Sequence, residues 1–363
     1  DGLAFIYDTG SGKSYKGEPT TNLNTFTLSD SGTDGSGQSS VGTRTVISDN
    51  YVRIVDAASN TRQTHVITGL TASTTYTLSI MYKKLTGAPT FRFQIQDYSG
   101  SSYLRTIKFT NTSEIGIQDK EGWQLASWTF TLGSDANAVR VWYQDGADYT
   151  TYTHSFELQN PQLEAKSHAT QFVNGTRSVT EGLLDLTNNA TINLSNVSFD
   201  SNAQMVLDGT DDTINTGLFS GRNPATDPFT IEAVVKSDTT SGGRMWVDAT
   251  NNGSNQRLYC AHAATGTGTP MGIQGSGWSS SAPHDTDYHH YVIVMDGSVA
   301  RLYNNGEAHS TKNYTSYQIQ ALNIGGRNTY RWFGDIPIFK LYDRALTADE
   351  VLQNFNATKS RFL

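Results

Sequence analysis

The chain has 363 residues, of which Thr, Ser, Gly and Asn supply 140, while charged residues make up 17% and aromatics 11%. With 26 Lys+Arg against 34 Asp+Glu the net charge is −8, so no basic field draws phosphate and nucleic acid is excluded as a partner. No apolar run reaches the roughly 18 residues of a membrane helix, and the apolar content is too high for a disordered chain. The single cysteine, Cys260, excludes an internal disulfide framework and a thiolate zinc site and reads as a small buried hydrophobe. The chain begins at Asp1 without Met or a signal-peptide apolar region, the mark of processing or of a piece of a longer polypeptide.

Taken in order, Gly32–Gly42 is Gly/Ser-rich with a single charge and reads as a long loop or mobile connection. Thr75–Tyr82, Phe91–Asp97, Ser127–Leu132 and Ala138–Gln144 alternate apolar and polar residues, the period of a half-buried strand. Turn chemistry at Thr86–Pro89, Ser99–Ser102 and Gly133–Ala136 separates them. The rhythm resumes in Phe229–Val235, Arg244–Asp248, Tyr291–Met295, Ala300–Tyr303 and Ile336–Tyr342, with hairpin signals at Asp296-Gly297 and Asn305-Gly306. One helix is expected: Thr347-Ala348-Asp349-Glu350 is a capping box, followed by Val351, Leu352 and Phe355 on one face, over about two to three turns. The fold class is all-β, built of sandwiches with one short C-terminal helix.

Several segments carry a family resemblance. Phe229–Val235, Tyr288–Gly297, Ala300–Gly306, Leu322–Arg327 and Phe333–Thr347, with Val206–Ile214 before them, resemble in their order the concanavalin A-like lectin/glucanase superfamily in its laminin-G-like form. Leu346–Phe362 resembles the helix and tail that follow such domains in bacteriophage virion proteins. Gly2–Asp8 resembles the family's first strand, which ordinarily leads toward a segment like Leu184-Asp185-Leu186. Here roughly 160 residues intervene, as when a domain is inserted into an exposed loop whose ends lie close. The expected organisation is a discontinuous concanavalin A-like sandwich of residues 1–21 and 173–363, interrupted by residues 22–172. In that insert Gly69–Ser79, Gly122-Trp123-Gln124, Pro161–Glu164 and Ala169–Phe172 resemble carbohydrate-binding-module jelly rolls of phage fibres.

No catalytic constellation accompanies the resemblance. The Glu-x-Asp-x-x-Glu strand of the related glucanases is missing, and retaining hydrolysis needs two carboxylates facing one sugar. Asp211 and Asp212 are adjacent and on a strand would point to opposite faces. His284-Asp285 with His289-His290 invites a metal or catalytic reading, but adjacent strand histidines face opposite ways and read as structural. Calcium is a candidate cofactor: hard oxygen ligands suit it, and the resemblance puts Asp208, Asp211, Asp212 and Asp335 near loop ends. The alternative is that these are solvated turn carboxylates.

Sugar recognition pairs flat aromatic faces with planar polar groups. In the insert, Phe91, Phe93 and Ile95 alternate with Arg92, Gln94 and Gln96, and Val139, Val141 and Tyr143 with Arg140, Trp142 and Gln144. A Trp among Arg and Gln on a polar face is a candidate glycan surface, the alternative being a Trp packed under a loop or a neighbouring subunit. In the second half, Trp278 and the loop containing Arg327, Tyr330, Arg331 and Trp332 offer stacking and bidentate donors. The resemblance implies a homotrimeric protein on a bacteriophage virion surface, binding host surface polysaccharide without catalysis beside other virion proteins. Two other roles stay open, an assembly or decoration module without a sugar ligand and a glycoside hydrolase or its accessory module, because fold alone does not settle function.

Overall fold

The alternating segments are antiparallel strands of four large sheets. The computed structural model describes residues 2–25, 28, 43–57, 62–86, 91–99, 102–111, 121–145, 154–218, 220–240, 244–250, 257–262, 271–273, 276–278, 285–314, 319, 321–326 and 330–362. The Gly32–Gly42 connection lies outside them. The chain divides into two compact units, one of Asp1–Pro19, Arg177–Asp200 and Gln204–Leu363, the other of Thr20–Thr176 with Ser201–Ala203.

In the first unit an eight-stranded sheet runs Ser198–Phe199, Met205–Asp208, Phe333–Tyr342, Phe229–Ser237, Tyr288–Asp296, Val299–Asn304 and Glu307–Asn313, with Leu3–Asp8 also pairing along Phe333–Tyr342. A six-stranded sheet runs Ile214–Asn215, Ala321–Ile324, Arg244–Thr250, Arg257–His262, Met271–Ile273 and Ser276–Trp278. Their inward positions form one core that includes Phe5, Tyr7, Ile231, Trp246, Tyr291, Trp332 and Phe339. Phe229–Ser237 and Tyr288–Asp296 are buried along nearly their whole length, because one face meets this core and the other lies against the C-terminal helix and its small apolar cluster around Val292, Tyr303 and Val351.

The second unit pairs a four-stranded sheet, Arg62–Thr68, Ala138–Asp145, Phe91–Ser99 and Ser102–Asn111, with a five-stranded one, Thr43–Ser48, Tyr51–Ala57, His154–Glu164, Thr75–Thr86 and Trp123–Thr131. Ile67, Ile95, Val139 and Val141 come from the first sheet, Leu78, Ile80, Trp128 and Leu158 from the second, and together they form the second core. The Pro161–Glu164 motif closes this unit. Gln162 donates to the Thr170 hydroxyl at 3.2 Å and accepts from the Val173 N–H at 2.8 Å, while the Glu164 carboxylate takes the Thr20 hydroxyl at 2.7 Å and the Thr170 N–H at 3.0 Å.

The helix is longer than its sequence pattern suggests. It covers Ala348–Phe362, because docking contacts continue past Phe355 and neither Gly nor Pro interrupts the segment. The capping box forms as expected, with Thr347 N–H on the Glu350 carboxylate at 2.9 Å and the Glu350 N–H on Thr347 Oγ1 at 3.3 Å. Beyond it, Asn354 donates to Glu232 Oε2 at 2.6 Å, and Arg361 makes a bidentate pair with Asp8 at 2.6 and 2.8 Å.

Glu232 anchors this face. Only 1% exposed, it accepts from Lys340 Nζ at 2.7 Å and faces His290 Nε2 at 3.1 Å. Burial alone would raise its pKa, but these partners outweigh it and lower the carboxyl to about 2. His289, on the next position, turns to Asp285 at 2.8 Å, so the two histidines do face apart.

A group depressed in the folded state stabilises above its unfolded pKa and loses that contribution as pH falls toward the folded one. For Glu232 the window runs from its ordinary value of 4.5 down to about 2. Glu232→Gln leaves Lys340 without its buried partner, and we expect it to cost about 3 kcal/mol at neutral pH. Denaturant titrations across this acid range should show a shallower pH dependence than the wild type.

Candidate functional site

The expected glycan surface is set by strand register. Phe91–Ser99 and Ala138–Asp145 pair so that Arg140 lies opposite Gln96, Trp142 opposite Gln94 and Gln144 opposite Arg92. Ile95, Val139 and Val141, at the intervening positions, are fully buried, so strand alternation gives these six positions the other face of the sheet. The Arg140 Nε donates to Gln96 Oε1 at 2.7 Å, and its guanidinium lies 4.8 Å over the Tyr98 ring. Two planar partners therefore fix its orientation. Gln96 itself is only 5% exposed: it orients Arg140 rather than meeting a ligand, a correction to its place among the contact residues. Gln94 is half-buried. The side chains of Arg92, Trp142 and Gln144 lie outside the described residues.

The loop surface expected in the first unit loses one of its two described rings. Trp332 is fully buried, and its indole N–H donates to the Asp335 carbonyl at 3.3 Å, so it packs the core and offers no ring to a glycan. The cause is a tight reversal at Gly325 and Gly326, with φ of 88° and 82°. A Cβ on Gly326 would approach the Tyr330 carbonyl to 2.3 Å, so only glycine lets the backbone fold in and carry Trp332 with it. The Arg331 Nη1 donates to the Gly326 carbonyl at 3.1 Å, which closes the same turn. Tyr330 stays exposed. Arg327 and the Trp278 side chain lie outside the described residues.

Three of the four candidate calcium ligands gather. The carboxylates of Asp208, Asp211 and Asp212 offer oxygens within 4.8 Å of one another, a donor set whose chemistry suits calcium. Asp335 is not in this group: its carboxylate accepts the Tyr288 hydroxyl at 2.9 Å, and the long side chain of that tyrosine holds it against a different strand. Asp212 is buried and accepts the Ser198 hydroxyl at 3.1 Å and the Asp208 N–H. Burial and the neighbouring Asp208 charge push its carboxyl up to about 6.

A feature that sequence reasoning missed lies on the outer face of the five-stranded sheet. Trp123, Met81, Leu125 and Gln159 line a recess of about 570 Å³ there, walled by Asn160 and Phe172. Gly122-Trp123-Gln124 is visible in the sequence as a motif. The recess depends on the chain beyond Glu164 crossing back over the sheet, where the Lys166 and Ser167 carbonyls accept from Thr77 and Thr129, and no local pattern announces that.

Residues 208–352 match the family model described as the Concanavalin A-like lectin/glucanases superfamily, so this stretch has a lectin-like sandwich fold. No curated protein sequence matches the chain. Among solved structures, Trypanosoma rangeli sialidase in complex with the inhibitor DANA aligns at 14% identity with a TM-score of 0.39, covering 59% of this chain and 41% of the sialidase. The chain thus spans well under half of that protein's length. The CBM40 domain of Ruminococcus gnavus IT-sialidase aligns at 15% identity and a TM-score of 0.30, over 39% of this chain and 96% of the domain. Domain 4 of AbnA, a Geobacillus stearothermophilus arabinanase in complex with arabinotriose, aligns at 15% identity and 0.34, over 48% and 92%. No helix among the described residues is long and apolar enough to cross a membrane.

Trp332→Ala should lower stability by about 3–5 kcal/mol in denaturant unfolding, while the exposed Tyr330→Ala stays within about 0.5 kcal/mol. An acid raised in the folded state favours folding below its unfolded pKa and weakens it as pH rises through the folded value. Thermal melts without divalent cations should therefore show Asp212 lowering stability between about 4 and 6, and Asp212→Asn flattening that limb, because the amide still accepts from the Asp208 N–H.

Proposed function

We propose that this chain binds glycans without cleaving them. The observation that carries the reading is the cross-strand ladder Arg140–Gln96, Trp142–Gln94 and Gln144–Arg92, which puts an indole position between guanidinium and amide positions on one sheet face. An aromatic platform flanked by planar donors suits a pyranose, whose C–H face stacks while its hydroxyls take hydrogen bonds. The lectin-like fold of residues 208–352 supports the same class of role. The missing Glu-x-Asp-x-x-Glu pattern supports binding over hydrolysis.

The resemblance of Leu346–Phe362 to virion proteins extends the reading. On it, the chain is a fibre or surface protein of a bacteriophage, carried as a trimer beside other virion proteins, and its ligand is the host's surface polysaccharide. Weak single sites then suffice, because copies held together raise the effective concentration of each. The three clustered aspartates would hold calcium as a structural ion that fixes the turn after Asp208.

The test is a glycan array probed with the intact chain, followed by titration of any glycan retained. Trp142→Ala should weaken binding about tenfold, the scale of one lost stacking contact with its burial. Arg140→Ala should act in the same direction. Silence on the array, or equal binding by Trp142→Ala, would overturn the reading, and new reducing ends released from polysaccharide would replace it with hydrolysis.

A further inference from the structure

The recess on the five-stranded sheet is built from parts that are fixed before any ligand arrives. Trp123 packs edge-on against Tyr51, ring centroids 5.6 Å apart at 71°, and Lys83 lies 5.6 Å from its centroid on the same sheet. Asn160 is held in the left-handed region at φ 56°, its N–H on the Asn50 carbonyl at 2.9 Å, at the irregularity between Gln159 and Gln162. Thr170, on the wall, is tied down by Gln162 and Glu164. Such pre-formed walls lower the ordering cost of binding.

The lining then decides the ligand. Trp123, Met81 and Leu125 give an apolar floor, Gln159 and Asn160 give planar amides, and the volume of about 570 Å³ falls within the roughly 300–1,000 Å³ of small-molecule sites. The lining contains one formal charge, the exposed Glu121 carboxylate, and neither Lys nor Arg. Lys83, whose ammonium lies over the Trp123 ring, sets a cation beside this carboxylate, so the recess has no net charge with which to select a phosphate or a carboxylate. A purely apolar ligand would strand the amides.

We infer that this recess is a second carbohydrate subsite, taking a neutral pyranose residue, with Trp123 as its floor. It stands on a different sheet from the Arg140–Trp142 ladder, and either reading can fail alone.

Calorimetric titration and saturation-transfer NMR on the intact chain test it, using the methyl glycosides of glucose, galactose and N-acetylglucosamine, with glucuronate as the acidic counterpart. At least one neutral glycoside should bind with a roughly millimolar dissociation constant. Leu125→Arg, at a position already 45% exposed, should weaken it at least about tenfold with an unchanged unfolding midpoint, while Trp142→Ala leaves it intact. Gln159→Ala should act like Leu125→Arg and serves if the arginine disturbs folding. The inference is overturned if no neutral glycoside binds, if the recess variants bind as the wild type does, or if the wild type prefers glucuronate.

Discussion

The first unit depends on one carboxylate. Asp185, only 4% exposed, accepts from the backbone N–H groups of Ile6, Thr187, Asn189 and Ala190 at 2.9–3.1 Å and from the Thr187 hydroxyl. Ile6 lies in the strand Leu3–Asp8, 179 positions away in the chain. Around this clamp the Ser14 hydroxyl donates to the Leu184 carbonyl, the Leu184 N–H returns to Ser14, and the Lys16 N–H reaches Gly182. Joining segments so distant carries a closure entropy that grows only slowly with length. Charge-assisted bonds worth roughly 1.5–3 kcal/mol each can offset it when several converge on one buried group.

That clamp decides what the sheet above it can be. With Leu3–Asp8 fixed beside Phe333–Tyr342, Phe5 and Tyr7 enter the core against Phe339, which stacks on Tyr7 at 6.2 Å and 17°. The opposite face of the same sheet is then committed to the helix, where Glu232 gathers Lys340, His290 and Asn354. Burying a charge costs several kcal/mol unless partners surround it. Partners drawn from two other strands and a helix therefore make Glu232 a registration device as much as a stabilising one. Arg361 on Asp8 ties the helix end back to the strand that Asp185 positions.

Much of this was legible in the sequence and some could not be. Alternation at Phe91–Asp97 and Ala138–Gln144 reads as strand, because the two-residue period is a property of the local chain, and the apolar set Ile95, Val139 and Val141 is indeed core. The capping box at Thr347 is equally local. The far end of the helix was not legible, because Asn354 and Arg361 extend it through contacts with residues 232 and 8. Trp332 misled for a related reason: its sequence neighbours Asn328, Thr329 and Arg331 have the polar composition of a loop, while the glycine reversal turns the indole into the core. Gln96 is a polar residue yet only 5% exposed, with the Arg140 side chain bonded to it. In each case the local pattern gives the face of an element, and tertiary packing decides whether that face meets solvent.

The second unit's sheets thereby acquire faces of unlike chemistry. Both inner faces are spent on one core, so recognition can use only the outer positions, where polar residues tolerate solvent and register sets their spacing. On the four-stranded sheet those positions hold a guanidinium braced by Gln96 and Tyr98. On the five-stranded sheet they form a recess where the Glu121 carboxylate and the Lys83 ammonium over Trp123 leave no net charge. The chain's net charge of −8 does not override this difference at contact, because charges beyond about 8–10 Å are screened at physiological salt. A glycan docked at either face would respond to the nearest one or two charges. On the proposed reading, selection between acidic and neutral sugars would rest on these few side chains, sheet by sheet.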